Sequence, residues 1–367
     1  MPTFQYANPG VIHWGPGCVR EKLEEELRRV GARRVLLVTT RSAVQDAHLA
    51  SAIESLIGNR LAGRFSAVGQ HAPVRAIAEA VETARRLEAD ALVSLGGGSP
   101  IDAAKAVAFS LATGIDLGKE EGRARARDAT IDRVLPHLAI PTTLSVAELS
   151  GSAGFSAEGT REKVGVAAPA LRPAAVFYDA ELALRTPLPL WLSTGIRAVD
   201  HAAETLLAPG DHPLPDTVAV EGLRRLQAGL LAVRERPDDP AARTDCQLGG
   251  WFSFLLPGPA ARGLSHTLGK RLGSRHGIPH GVTSCLLLPH VLRYLAPRHP
   301  GVMARIAGAL GAPHAADGVA DLVARLDLPR HLSAWNLSEA DLVEAARPLA
   351  TPEHPEADLL AILHAAL

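Results

Sequence analysis

The first half of the chain alternates short apolar runs with amphipathic segments, and this alternation limits the folds that the chain can adopt. Residues 74–87 place apolar side chains at helical spacing, and residues 100–111 are also predicted to form a helix. The charged stretch 118–132 is predicted to be a solvated loop. Strands that alternate with helices form a mostly parallel sheet, which binds ligands at the carboxyl ends of its strands. Four apolar runs are predicted to be its buried strands: RVLLVT (34–39), ADALVSL (89–95), LAIP (138–141) and AAVFY (174–178).

Beyond Asp179 the strand-like runs nearly vanish, and long segments rich in Leu, Ala and Arg follow. Prolines mark several of the joints between these segments. We therefore predict an α/β domain with a parallel sheet over residues 1–183 and an all-α domain over residues 184–367. The segments predicted to be helices are 192–208, 216–234, 243–256, 284–296, 302–310, 316–326, 339–348 and 357–366.

Charge and cysteine usage exclude several classes of protein. The 38 Lys+Arg residues nearly balance the 39 Asp+Glu residues, which argues against a nucleic-acid or membrane-surface partner. The chain has three cysteines, Cys18, Cys246 and Cys285, which are far apart and include no Cys-x-x-Cys pair. This pattern is not that of a disulfide framework, and it is expected in a reducing compartment. The chain shows no apolar stretch of membrane-spanning length and no signal-peptide pattern at its start, so we expect a cytoplasmic globular protein.

The strongest local motif is LGGGSPIDAAKAVA at residues 95–108, directly after a predicted strand. Three consecutive glycines let the backbone approach an anion closely, and the next helix offers unpaired N–H groups and the positive end of its dipole. We expect Ser99 to be the N-cap residue, with Pro100 at the first helical position and Asp102 completing a capping box. The motif predicts a phosphate-binding turn.

GGGSPIDAAKA resembles the pyrophosphate-binding signature of the iron-containing alcohol dehydrogenase superfamily, which includes maleylacetate reductases, glycerol dehydrogenases and dehydroquinate synthases. IPTT at 140–143, KVG at 163–165, the YDxxL stretch that ends at Leu182 and PHGVTSCLLLPHV at 279–291 resemble further motifs of that family. The resemblance implies a dehydroquinate synthase-like fold, in which a Rossmann-like nucleotide-binding domain precedes a helical substrate domain. It also implies NAD or NADP as cofactor and a homodimer, because relatives are commonly dimers. The residues expected to contact the cofactor are Thr40, Gly96, Gly97, Gly98, Ser99, Asp102, Thr142, Thr143, Lys163 and Leu182.

The residue at the end of an early strand usually decides between NAD and NADP, because a carboxylate there holds the ribose hydroxyls. Thr40 stands at that position, and Arg41 follows it. No carboxylate would repel a 2′-phosphate, so NADP is allowed and weakly favoured.

In this family an Asp and a His four residues apart on one helix join two later His residues to hold Fe²⁺ or Zn²⁺. His201 matches the helix histidine, and a gapless alignment places His266 and His280 on the two later positions. Arg197 stands where the Asp is expected, and an Arg cannot ligate a metal. Asp200 lies about 100° around the helix from His201, and it could pair with Arg197 at i, i+3 spacing. Three His residues could still bind Zn²⁺ with water as fourth ligand, but we favour a metal-free site.

The metal-free alternative uses Arg197 and Lys270 as the positive charges that polarise a carbonyl and stabilise the alkoxide. Lys270 falls on the position of the additional active-site histidine in the family. With Arg262, Arg271 or Arg275 nearby, such a site favours a small anionic substrate. Residues assigned to the reactive centre are Arg197, His201, His266, Lys270 and His280.

The resulting prediction is an NAD(P)H-dependent oxidoreductase nearest the maleylacetate reductase-like branch. It would transfer hydride to a carbonyl or an activated double bond. Two alternatives remain open at this point. One is a dehydroquinate synthase-like lyase or cyclase that uses NAD transiently, and the other is a repurposed non-redox homologue.

Overall fold

Strands and helices alternate through the first half of the chain. The computed structural model describes residues 8–46, 48–157, 163–255 and 263–367. The strands are β1 (Ile12–Trp14), β2 (Val35–Val38), β3 (Leu61–Phe65), β4 (Ala91–Gly96), β5 (His137–Pro141), β6 (Ser152–Ser156), β7 (Lys163–Ala167) and β8 (Ala175–Tyr178). The helices among them are α1 (Cys18–Arg29), α2 (Arg41–Gln45), α3 (Ala50–Ile57), α4 (Val74–Arg86), α5 (Gly98–Thr113), α6 (Glu120–Ala126) and α7 (Ala180–Ala183).

Six strands form one parallel sheet in the order β1-β8-β5-β4-β2-β3. All residues of β2, β4, β5 and β8 are buried, as expected for parallel strands covered by helices on both faces. The four strands predicted from apolar runs are therefore confirmed, as is the parallel sheet. Helix α4 buries the stripe that its spacing predicts, including Ile77, Ala80, Val81 and Ala84.

The charged stretch 118–132 is not wholly a loop, because it contains α6. Gly122 and Ala126, four residues apart, are buried on one side of this helix. Glu120 and Glu121 lie in its first turn and basic residues in its last, which suits the helix dipole. These two small residues did not give a hydrophobic pattern strong enough to predict a helix among so many charged side chains. The antiparallel hairpin of β6 and β7 contains a strand, β6, for which we predicted no element.

The second half is helical, as predicted. Leu264–His276, for which we predicted no element, forms a helix that carries His266 and Lys270. The helices are α8 (Leu188–Leu207), α9 (Pro213–Glu235), α10 (Pro240–Ser253), α11 (Leu264–His276), α12 (His280–Leu295), α13 (Pro300–Ala309), α14 (Ala315–Arg325), α15 (Glu339–Ala346) and α16 (Glu356–Ala365).

The chain divides into two compact units, and the division falls between Thr186 and Pro187. The first holds the parallel sheet, and the second holds α8 to α16. Within the described residues, no helix combines the length and the apolar character needed to span a membrane.

Candidate active site

Helix α8 carries four ionisable side chains that are buried on neighbouring turns. Arg197, Asp200, His201 and Glu204 follow one another at intervals of three, one and three residues, and each is at most 7% exposed. Spacings of three, four and seven residues return to one face of a helix. Burying charged groups is costly unless they are paired, so their partners define the site.

Arg197 and Asp200 form a buried ion pair. Nη1 of Arg197 lies 3.2 Å from Oδ2 of Asp200 and donates to the Ser284 hydroxyl at 3.0 Å. The same carboxylate oxygen accepts hydrogen bonds from Ser265 at 3.0 Å and Ser284 at 2.6 Å. Burial raises the pKa of Asp200, and the Arg197 charge opposes that rise. The i, i+3 pairing suggested by the sequence is thus present in the structure.

His266 is held from two sides by α8. Nη2 of Arg197 contacts Nδ1 of the His266 ring and lies 3.0 Å from its Nε2. Oε1 of Glu204 accepts the backbone N–H of His266 at 2.9 Å. The ring of His201 packs edge-on against Phe254, with centroids 4.9 Å apart, and lies 5.4 Å from the His266 ring. Arg197, His201 and His266 therefore do come together, as predicted.

Glu204 is a buried carboxyl group of this cluster to which the sequence pattern assigned no role. The spacing does place it on the helix face of Arg197 and His201, since it follows them by seven and three residues. Burial and the nearby Asp200 carboxylate raise its pKa well above the usual range. Among the described residues, the potential metal-binding group consists of His201, Glu204 and His266, whose ligand atoms lie within 4.8 Å of one another.

The contacts that these three side chains make disfavour a divalent metal ion. A cation bound to His266 would lie beside the Arg197 guanidinium, which already contacts that ring and would repel it. Glu204 is occupied by the backbone of α11. His280, assigned to the third histidine position, is the first residue of α12 and does not belong to the described ligand group.

Lys270 lies four residues after His266 on α11 and is half-buried. Two arginines that were predicted to bind an anionic substrate contact α15 instead. Arg271 donates to the Glu344 carbonyl at 3.4 Å, and Arg275 contacts the Glu344 carboxylate. Arg262 lies outside the described residues.

The glycine-rich turn joins β4 to α5 in the first compact unit. Gly96 has φ +136°, a conformation that L side chains rarely adopt, and a Cβ there would lie 2.8 Å from Pro100. Gly97 is the N-cap residue, so the helix begins two residues before Pro100 and the predicted Ser99–Asp102 capping box is wrong. The Ser99 hydroxyl instead accepts the backbone N–H of His71 at 3.1 Å. This long-range hydrogen bond uses the Ser99 hydroxyl that the predicted capping box required.

The segment after β5 lies directly over the glycines. Thr142 donates its backbone N–H to the Gly96 carbonyl at 2.9 Å, and its own carbonyl accepts from Thr186. A Cβ on Gly97 would lie 3.2 Å from the Thr143 side chain, and one on Gly98 would lie 3.2 Å from the Ser145 hydroxyl. Both hydroxyl oxygens are buried and have no hydrogen-bond partner in the protein. Unpaired hydroxyls beside the first turn of a helix, whose N–H groups have no intrahelical partners, fit the phosphates of a dinucleotide.

Four further residues were predicted to contact the cofactor, and they lie at different places in the first compact unit: Asp102, Thr40, Leu182 and Lys163. Oδ2 of Asp102 accepts the Gly154 N–H at 3.2 Å. Thr40 caps α2 by accepting the Ala43 N–H, and Leu182 packs on the sheet core from α7. Lys163 begins β7, but its side chain lies outside what the structure describes.

Lys105 and Glu148 are buried together beneath this turn. The ammonium of Lys105 donates to the carbonyls of Ala147 and Ser152, which ties the segment after β5 to α5. Oε1 of Glu148 accepts the Tyr178 hydroxyl at 2.9 Å, whereas its Oε2 is buried without a partner. Burial raises the pKa of Glu148 to about 7 from 4.5, although Tyr178 and Lys105 oppose that rise.

This raised pKa predicts a pH-dependent stability. Between pH 4.5 and about 7 the folded protein keeps a proton on Glu148 that the unfolded chain releases, so stability falls as pH rises through that window. Glu148→Gln removes this titratable group. As the pH rises from 4.5 to about 7, the free energy of unfolding of the variant is therefore expected to gain up to about 3 kcal/mol relative to that of wild type. Urea unfolding on both sides of the window measures this difference, with the exposed Glu353→Gln as control. An equal difference between the two proteins at both pH values would contradict the prediction.

Comparison with known proteins matches both halves of the chain to one family. The family described as "Iron-containing alcohol dehydrogenase" matches residues 9–180, and "Fe-containing alcohol dehydrogenase family, C-terminal" matches residues 191–359. Maleylacetate reductase of Rhizobium sp. (strain MTP-10005) is 34% identical over 96% of this chain and 92% of its own. Maleylacetate reductase of Burkholderia cepacia is 33% identical over 98% and 96%. The crystal structure of maleylacetate reductase from Agrobacterium tumefaciens superposes with a TM-score of 0.84 at 33% identity, covering 100% and 99% of the two chains.

A parallel sheet with a glycine-rich turn is followed by a helical unit with a buried polar centre, and the maleylacetate reductase relatives of this fold indicate an NAD(P)-dependent oxidoreductase. The chain belongs to the iron-containing alcohol dehydrogenase family.

Proposed function

We propose that this protein reduces a small anionic substrate of the maleylacetate type, transferring hydride from NAD(P)H to a carbonyl or an activated double bond. The observation that carries the proposal is the buried Arg197, which stands at the family's metal-ligand position and contacts His266. The similarity to two maleylacetate reductases over nearly the full chain supports the same substrate class.

In the proposed mechanism, bound NAD(P)H supplies the hydride. The N–H groups at the start of α5 and the hydroxyls of Thr143 and Ser145 bind the pyrophosphate. Arg197 orients the His266 ring, and the Lys270 ammonium, one turn further along α11, attracts the carboxylate of the substrate. Lys270 or His266 donates the proton that completes the reduction.

We propose further that the reaction proceeds without a metal ion. The Arg197 guanidinium supplies a fixed positive charge beside His266, and it repels a dication from the same place. Purified without chelator, the protein is expected to contain well under one equivalent of iron or zinc by elemental analysis. Near-stoichiometric metal that is lost together with activity on dialysis against chelator would contradict this proposal.

The decisive assay is the loss of NAD(P)H absorbance with maleylacetate, compared with simple ketones and ethanol-type alcohols in the reverse direction. We expect oxidation of NAD(P)H with maleylacetate and little with uncharged ketones. Cofactor binding without oxidation by any carbonyl substrate would contradict the proposal and favour a repurposed homologue. Phosphate release from a sugar phosphate without net cofactor consumption would favour the lyase alternative, which the maleylacetate reductase relatives do not favour.

Competition between NADH and NADPH in the same assay tests cofactor choice. Thr40 and Arg41 follow β2, where a carboxylate would select NAD, and we propose that NADPH is accepted. The homodimer and the cytoplasmic location stay predictions.

A further inference from the structure

We propose that Glu204 is a positioning residue that fixes the first turn of α11, and with it His266, rather than a metal ligand or a proton donor. The inference rests on the proposed reductase function only for its kinetic consequence. Glu204 is 4% exposed and lies on α8, one turn after His201. None of its sequence neighbours suggests this role, because the residue it holds is 62 positions away.

The side chain of Glu204, which lies on α8, caps the N-terminus of a different helix, α11. The first N–H groups of a helix have no intrahelical partner, and α11 receives no cap from its own N-cap residue, Gly263. Oε1 of Glu204 accepts the N–H of His266 at 2.9 Å, which is one of those orphan donors. The Glu204 oxygen can accept this hydrogen bond whether or not the carboxyl group is protonated.

Gly263 makes this approach possible. A Cβ at that position would lie 2.6 Å from Cγ, Cδ and Oε1 of Glu204, so only a glycine lets α11 begin against the carboxylate. With its backbone held by Glu204 and its ring by Arg197, His266 is fixed at two points from one helix face. Lys270 follows on the same helix and depends on the same anchor.

The test compares Glu204→Gln, Glu204→Ala and Gly263→Ala, with the exposed Glu235→Gln as matched control. Glutamine keeps an oxygen that accepts the His266 N–H, alanine removes it, and Gly263→Ala displaces the carboxylate without changing its chemistry. Hydrogen exchange of the peptide covering 264–276 reports positioning independently of activity. We expect faster exchange in Glu204→Ala and Gly263→Ala, and wild-type exchange in Glu204→Gln and in the control.

Kinetics with whichever carbonyl substrate the wild type reduces give the second readout. We expect kcat to fall roughly 10- to 30-fold in Glu204→Ala and Gly263→Ala, with KM for NAD(P)H unchanged, and to stay within about threefold in Glu204→Gln. Equal losses in Glu204→Gln and Glu204→Ala would show that the carboxylate itself is needed and would overturn the proposal. Unchanged exchange in Glu204→Ala would also overturn it. A wild type without reductase activity would instead refute the proposed function, while the exchange comparison still decides the role of Glu204.

Discussion

Arg197→Ala is expected to lower kcat/KM about 10²- to 10³-fold, the largest loss from a single change outside the cofactor site. The substitution removes the guanidinium that contacts His266 and leaves the buried Asp200 carboxylate without its counter-charge. Removing one partner of a buried ion pair costs about 3 kcal/mol or more in stability, so Asp200 is expected to take up a proton to avoid it. Steady-state kinetics with NAD(P)H and maleylacetate, run well below the melting temperature, measure the catalytic effect.

Two further variants separate loss of charge from loss of folding. Arg197→Lys keeps a cation but cannot contact His266, Ser284 and Asp200 together, and an intermediate loss of roughly 10-fold is expected. Arg305→Ala removes an exposed arginine paired with Asp216 and is expected to leave kcat/KM unchanged. A near-normal rate in Arg197→Ala would exclude the electrostatic and orienting role of Arg197.

Gly97→Val is expected to weaken NAD(P)H binding at least about 100-fold, or about 3 kcal/mol at 1.4 kcal/mol per factor of ten. Gly97 has φ −79°, so an L side chain is tolerated by the backbone and the protein should still fold. The Cβ alone would lie 3.2 Å from Thr143, and the two valine methyl groups would displace that side chain and cover the N–H groups that begin α5. Fluorescence titration with NAD(P)H measures the dissociation constant.

Gly10→Val is the control, because a Cβ at Gly10 meets nothing within 4 Å in the same unit. Thr143→Val is a finer probe, since its buried hydroxyl has no partner in the protein. Removing that hydroxyl should leave stability unchanged or slightly higher and should weaken NAD(P)H binding several-fold. Wild-type affinity in both Gly97→Val and Thr143→Val would place the pyrophosphate elsewhere.

The lysines illustrate how far a sequence motif can be interpreted. Lys105 belongs to the glycine-rich motif, yet its side chain is fully buried and ties α5 to the carbonyls of Ala147 and Ser152. Its position in the motif was evident in the sequence. Its structural role, which is to connect α5 to the segment after β5, was not evident, because its partners lie 42 to 47 residues later.

What the sequence determined by itself was the four central strands of the parallel sheet, the glycine-rich turn, the helical second half and the pairing of Arg197 with Asp200. These features depend on spacing along the chain, through hydrophobic period, glycine placement and the i, i+3 pairing of Arg197 with Asp200. The tertiary structure alone decided that Ser99 binds His71 rather than capping α5, that Glu204 holds His266, and that His280 stays outside the described ligand group. Each of these depends on how segments far apart in sequence pack together, and a hydrogen bond between distant residues leaves no periodic trace in either of them.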